Sequence, residues 1–114
     1  MSSFHIAREG QILTVGFGDP ATGDVIVQDA SEALREIADR GELGGGGLLC
    51  INGRCTVPVA VLLGHSVAHI FAAVGVFDPK LNGYIVCISH DPAHPVGTVI
   101  PPGEVQGLRG GRPS

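Results

Sequence analysis

Apolar positions in this chain fall in three short runs, 48–51, 74–77 and 84–89, each bounded by Gly, Asn, Asp or Pro, the punctuation expected of buried strands. Between the first two, residues 57–73 make an apolar stretch long enough for a helix. Thr56 can cap that helix, and Pro58 lies in its first turn, where a missing N–H is harmless. The polar turn Asp78-Pro79-Lys80-Leu81-Asn82-Gly83 then predicts that 74–77 and 84–89 pair antiparallel. Upstream, 3–8 and 11–16 alternate apolar and polar residues and predict a hairpin joined through Glu9-Gly10. Asp29 and Glu32 have capping-box spacing, Leu34, Ile37 and Ala38 follow at helical spacing, and Gly41 ends the run, so a surface helix of about three turns is expected.

The glycine run at 44–47 has no backbone preference and reads as a flexible connection. It is not a phosphate loop, because neither Lys-Ser or Lys-Thr nor a helix follows it. Asp91-Pro92-Ala93-His94-Pro95 breaks the chain, 97–100 predicts one more short strand, and from Pro101 onward the sequence offers nothing to pack. The expectation is a single α/β domain over 1–107, a mixed β-sheet with two main helices, followed by a disordered tail at 108–114.

Composition narrows the function classes. Hydrophobic residues make up 44% of the 114 residues and charged ones 16%, with a mean hydropathy of +0.32, which argues against disorder and for surface used between subunits. A net charge of -4 excludes a basic module that grips long nucleic-acid backbones by general charge. Residues 55–76 carry no formal charge, so a membrane span has to be weighed. Pro58, Gly64, Ser66 and two histidines inside it, with strands close on both sides, favour a buried crossover helix and no membrane. Cys50, Cys55 and Cys87 are odd in number, follow no signal sequence and fit neither zinc nor thioredoxin spacing, so reduced thiols in a cytoplasmic protein are expected.

In a strand–helix–strand unit the two strands run parallel. Arg54 follows the first and Asp78 the second, so both belong at the carboxyl edge of the sheet, with Lys80 in the same turn. His65 and His69 are four apart and share one helix face, with His69 toward the opposite edge. His90 ends an antiparallel strand and belongs at that opposite edge too, near His94. Two polar sets, Arg54, Asp78 and Lys80 against His69 and His90 with His65 or His94, therefore cannot easily meet within one chain. They can cooperate between subunits stacked head to tail, a heterologous contact able to grow into tetramers or filaments. The chemistry that uses all of them is phosphodiester cleavage, either with a divalent ion or with a histidine as general base on a ribose 2′-hydroxyl. Each residue also has a plain structural role to offer: Asp78-Pro79 starts ordinary turns, Asn52-Gly53 is a common turn, and histidines on apolar helices often just fill an interface.

Asn52-Gly53-Arg54, the segment with His65 and His69, Val76-Phe77-Asp78-Pro79-Lys80-Leu81 and Ser89-His90 together resemble the small manganese-dependent CRISPR-associated ring nucleases of type III systems, also described as deadenylating exoribonucleases. The resemblance covers about 47–90. It implies a fold distantly like the CRISPR-associated Rossmann-type sensor domains, a homodimer, and opening of cyclic tetra-adenylate held between stacked dimers. Carried over, His69 or His65 is the helix histidine, Asp78 the carboxylate, Lys80 the basic residue where Arg is common, and His90 the strand-end histidine. His69, His90 and Asp78 are then the manganese ligands, and Asn52, Gly53, Arg54 and Lys80 contact the ligand. This chain departs from the family in placing Cys55-Thr56-Val57 between Arg54 and Pro58, and in a Lys that lacks the bidentate reach of Arg. Trimming of adenylate-tailed RNA from the 3′ end, binding of the messenger without cleavage, and a plain structural or metal-binding oligomer are the other readings.

Overall fold

The computed structural model describes residues 2–105. Six strands form one mixed sheet in chain order: β1 (Phe4–Glu9), β2 (Ile12–Phe17), β3 (Gly46–Gly53), β4 (Phe71–Asp78), β5 (Gly83–Ser89) and β6 (Val99–Ile100). Helix α1 (Gly23–Asp39) carries the chain from β2 to β3 and α2 (Val57–Ala68) from β3 to β4, so these three strands are parallel, while β1, β5 and β6 pair antiparallel with their neighbours. Crossovers of one hand that step in one direction leave both helices on the same face. There Ile26, Ala30, Leu34 and Ile37 of α1 and Val59, Leu63 and Val67 of α2 are buried against Leu13, Val15, Leu49, Ile51 and Val74 of the sheet. The opposite face carries its own apolar layer of Ile12, Leu48, Cys50, Ala73, Tyr84 and Val86, which Ile100 and Val105 join. With both faces buried, β3 reads Leu-Leu-Cys-Ile without alternation.

Four expectations need correction. Helix α1 begins at Gly23 rather than beside Asp29, because Ile26 already starts the buried stripe. The Asp29 carboxylate is drawn away from any capping box by Ser3, whose backbone N–H and hydroxyl donate to it at 2.9 and 2.6 Å. The helix does end as expected: Gly41 (φ 74) donates to Ala38 O at 3.0 Å and Glu42 to Ile37 O at 2.9 Å, closing the C-terminus as a Schellman motif.

Helix α2 stops at Ala68 with His69 as its C-cap, five residues short of Ala73, and β4 starts at Phe71. The sheet claims that segment, since Ile70 O accepts from Gly46 N at 3.0 Å and Phe71 and Ala73 are buried. The glycine run at 44–47 is not a free connection. Its second half opens β3, and the preceding Leu43 carbonyl accepts from the Arg8 guanidinium, which lies over the Phe71 ring at 5.0 Å and also donates to Gly10 O at 2.9 Å. Finally, the chain does pack beyond Pro101: a short 3₁₀ turn (Pro102–Glu104) delivers Val105 into the second apolar layer. The strand expected over 97–100 is confined to Val99–Ile100, and the disordered tail expected at 108–114 lies outside the described residues. No helix among the described residues is long and apolar enough to cross a membrane.

Candidate functional site

Parallel β3 and β4 end at one edge, and their last residues, Gly53 and Asp78, lead directly into Arg54 and into Pro79-Lys80. Arg54 and Lys80 are exposed, and neither side chain forms a hydrogen bond or ion pair with any described residue. Asp78 is half-buried, and its Oδ1 accepts from the backbone N–H groups of Lys80 at 2.8 Å and Leu81 at 3.3 Å. One carboxylate oxygen thus builds the turn that presents Lys80, the structural role that Asp-Pro commonly plays. The other carries no hydrogen bond among the described residues. An open hollow of about 500 Å³ is lined by Asp78, Pro79 and Lys80 together with Val76, Phe77, Ile85 and Cys87.

This edge is split. The β3–β4 ladder runs from Gly46↔Phe71 to Ile51↔Val76 and stops. Beyond it, Asn52 and Gly53 pair with Thr14 and Val15 of β2, whereas Phe77 and Asp78 pair with Tyr84 and Gly83 of β5. Arg54 therefore leaves from one half of the sheet, and Asp78 and Lys80 leave from the other. Gly53 has φ 130, and a Cβ there would lie 1.8 Å from Val15 O, so β2 holds this position for glycine alone. Asn52, expected to touch ligand, has its side chain on the helix-free face, where Nδ2 donates to the Tyr84 hydroxyl at 3.0 Å.

The histidines gather at the other edge. His65 and His69 are exposed, with ring centroids 4.8 Å apart at 90°. His90 is exposed after β5, and its N–H donates to Ala72 O at 2.7 Å, which sets it beside the start of β4 and near the end of α2. His94 is half-buried in the next turn, where its N–H donates to Asp91 O at 3.0 Å. So Arg54, Asp78 and Lys80 lie along one edge, in two halves, and His65, His69 and His90 along the other, with the length of β4 between the two sets. Imidazole and carboxylate are suitable donors for manganese. Among the described residues, however, no three His, Cys, Asp or Glu side chains converge, so the donors of one chain do not fit the ion.

Two features were not foreseen. Tyr84 is the one tyrosine of the chain, and nothing local marks a strand tyrosine as the partner of an asparagine 32 residues earlier. A second hollow of about 490 Å³ lies on the helix face, lined by α2 and by Val74, Val76, Cys87 and Ile88, with His65 and Cys55 in its wall. Beside it Val57 and Val61 are 77% and 67% exposed. Burial pushes the Cys50 thiol up to about 12 and raises Cys55 and Cys87 as well, so all three are protonated near neutrality.

A family model described as CRISPR-associated protein (Cas_csx3) matches residues 31–101, more than half of the chain, and takes in Asn52, Gly53, Arg54, His65, His69, Asp78, Lys80, Tyr84, His90 and His94. The chain belongs to this family. No curated protein and no solved structure matches it. The Cas_csx3 match runs from within α1 to the end of β6, so it takes in both edges of the sheet and omits the β1–β2 hairpin. The omitted hairpin includes Val15, which confines Gly53.

Proposed function

We propose that this Cas_csx3 family member is a ring nuclease that linearises cyclic tetra-adenylate and so ends type III CRISPR signalling in the cytoplasm. The observation that carries the reading is the division of exposed phosphate-type cations and exposed imidazoles between opposite edges of one sheet. Head-to-tail stacking brings the basic edge of one subunit against the histidine edge of the next, and the ring of four phosphodiesters is to be held between them. The uncharged hollow beside Val57 and Val61 supports a homodimer as the unit that stacks.

In this site a neutral His69 takes the proton from a ribose 2′-hydroxyl, and the freed oxygen bonds to the adjacent phosphorus. The bond from phosphorus to the 5′-oxygen breaks, and that oxygen takes a proton from a protonated neighbour, His65 or His90. The ring is left linear, with a 2′,3′-cyclic phosphate and a 5′-hydroxyl. Arg54 and Lys80 of the facing subunit neutralise charge on the phosphoryl oxygens, and the free oxygen of Asp78 holds the imidazolium that forms. Manganese, where bound, would be held by His69 and His90 of one subunit and Asp78 of the next, and would supply neutralisation of phosphoryl charge as an alternative to the acid–base route. The competing reading is capture of the messenger without cleavage, favoured by the engagement of Asp78 Oδ1 in its own turn.

The deciding experiment mixes two variants. His69→Ala and Asp78→Ala are each expected to lose cleavage of cyclic tetra-adenylate, with or without manganese. Their mixture regains it, because about one contact in four then joins the two intact edges. A mixture as inactive as its parts refutes the shared site. Tight binding by wild type with no turnover selects capture. Stepwise shortening of a linear adenylate strand, with the ring left whole, selects 3′ deadenylation.

A further inference from the structure

We infer that the Asn52–Tyr84 hydrogen bond is the strut that sets the distance of Arg54 from Asp78 and Lys80, which makes Asn52 and Tyr84 positioning residues of the basic edge. The functional half of this inference rests on the reading above. Past Ile51↔Val76 the backbone ladder no longer joins β3 to β4, so main-chain pairing does not hold the two halves of the edge together. The Asn52–Tyr84 bond crosses that gap from β3 to β5 at 3.0 Å, directly before Gly53-Arg54 and one pair from the Asp78↔Gly83 end of the β4–β5 ladder.

The strands are shaped to let it form. Tyr84 must reach over β4, and it does so above Gly75, where a Cβ would come within 3.3 Å of Tyr84 Cβ and 3.5 Å of Cys50 Sγ. The Phe77 ring meets it edge-on, with centroids 5.3 Å apart at 64°. Tyr84 is 1% exposed, so without Asn52 its hydroxyl would sit among apolar groups with little access to water. At the far end, Gly53 pairs with Val15 of β2, whose carbonyl lies too close to admit any Cβ. A phosphodiester offers oxygens a short distance apart, so Arg54 and Lys80 act on one ligand only while this spacing is kept.

Tyr84→Phe removes the hydroxyl and keeps the ring, and Asn52→Ala removes the other partner at a half-buried position. Loss of a neutral hydrogen bond predicts roughly two- to tenfold faster amide exchange at Arg54 and Lys80 in both variants, with Leu49 and Cys50 unchanged. On cyclic tetra-adenylate the same variants raise KM by a similar factor and leave kcat near wild type. The double variant behaves like either single one, the signature of two residues acting through one bond. Unchanged exchange at Arg54 and Lys80 overturns the strut, and additive effects in the double variant do the same. Faster exchange with an unchanged KM overturns the positioning role. The exchange measurement needs no ligand, so a wild type inert toward the ring defeats the proposed function while exchange still judges the strut.

Discussion

Gly53 offers the sharpest test of how the basic edge is built. Alanine there would occupy backbone at φ 130, a sparsely populated region that costs on the order of 1–3 kcal/mol for a non-glycine residue. Its Cβ would lie 1.8 Å from Val15 O, so β2 and β3 would have to part by more than an ångström, with loss of a terminal ladder bond worth about 1 kcal/mol. Gly53→Ala is therefore expected to lower stability by about 3 kcal/mol or more, a large share of the roughly 5–15 kcal/mol of a typical domain. Two glycines of the same chain calibrate the claim. At Gly47 a Cβ meets nothing within 4 Å and φ is not positive, so Gly47→Ala should be neutral or stabilising by about 0.4–1 kcal/mol through the unfolded chain. At Gly75 the contacts of 3.3 and 3.5 Å predict an intermediate loss of about 1 kcal/mol. Urea unfolding of the three variants with a common slope ranks them directly. A Gly53→Ala protein within about 1 kcal/mol of Gly47→Ala would show that Val15 does not confine this turn, and the fixed exit of Arg54 from β3 would go with it.

Two further predictions concern titratable groups. Hydrogen bonds from Ser3 hold the Asp29 carboxyl below its ordinary value in the fold. A depressed acid stabilises the fold above its unfolded pKa, near about 3.9, and that contribution is lost as pH falls through the folded value. The urea midpoint of wild type should therefore drop between about pH 5 and pH 2.5 more steeply than that of Asp29→Asn, and equal slopes would refute the Ser3–Asp29 link. For the thiols, exposed Cys87 should alkylate first and half-buried Cys55 later, while Cys50, fully buried and pushed up to about 12, stays unmodified until the chain unfolds. Early modification of Cys50, followed by mass spectrometry, would contradict the packing of the helix-free face.

The sequence by itself determined whatever depends on neighbours a few residues apart. Apolar runs at 48–51, 74–77 and 84–89 mark β3, β4 and β5. Glu9-Gly10 marks the opening hairpin, Thr56 caps α2 through a bond from Val59 N at 3.4 Å, and Gly41 ends α1, because each signal is a local preference of periodicity or backbone angle. The assignment of Arg54, Asp78 and Lys80 to one edge and the histidines to the other was also legible, since strand direction follows from the order of strand, helix, strand and hairpin. Tertiary structure decided the rest. Where α1 starts depends on Ile26 being buried against the sheet, and where α2 stops depends on Ile70 bonding to Gly46. The burial of Val105, the split beyond Ile51↔Val76 and the bond that spans it likewise join residues far apart in the chain. No pattern of neighbouring residues specifies such a contact; it exists only once the sheet has brought its strands side by side.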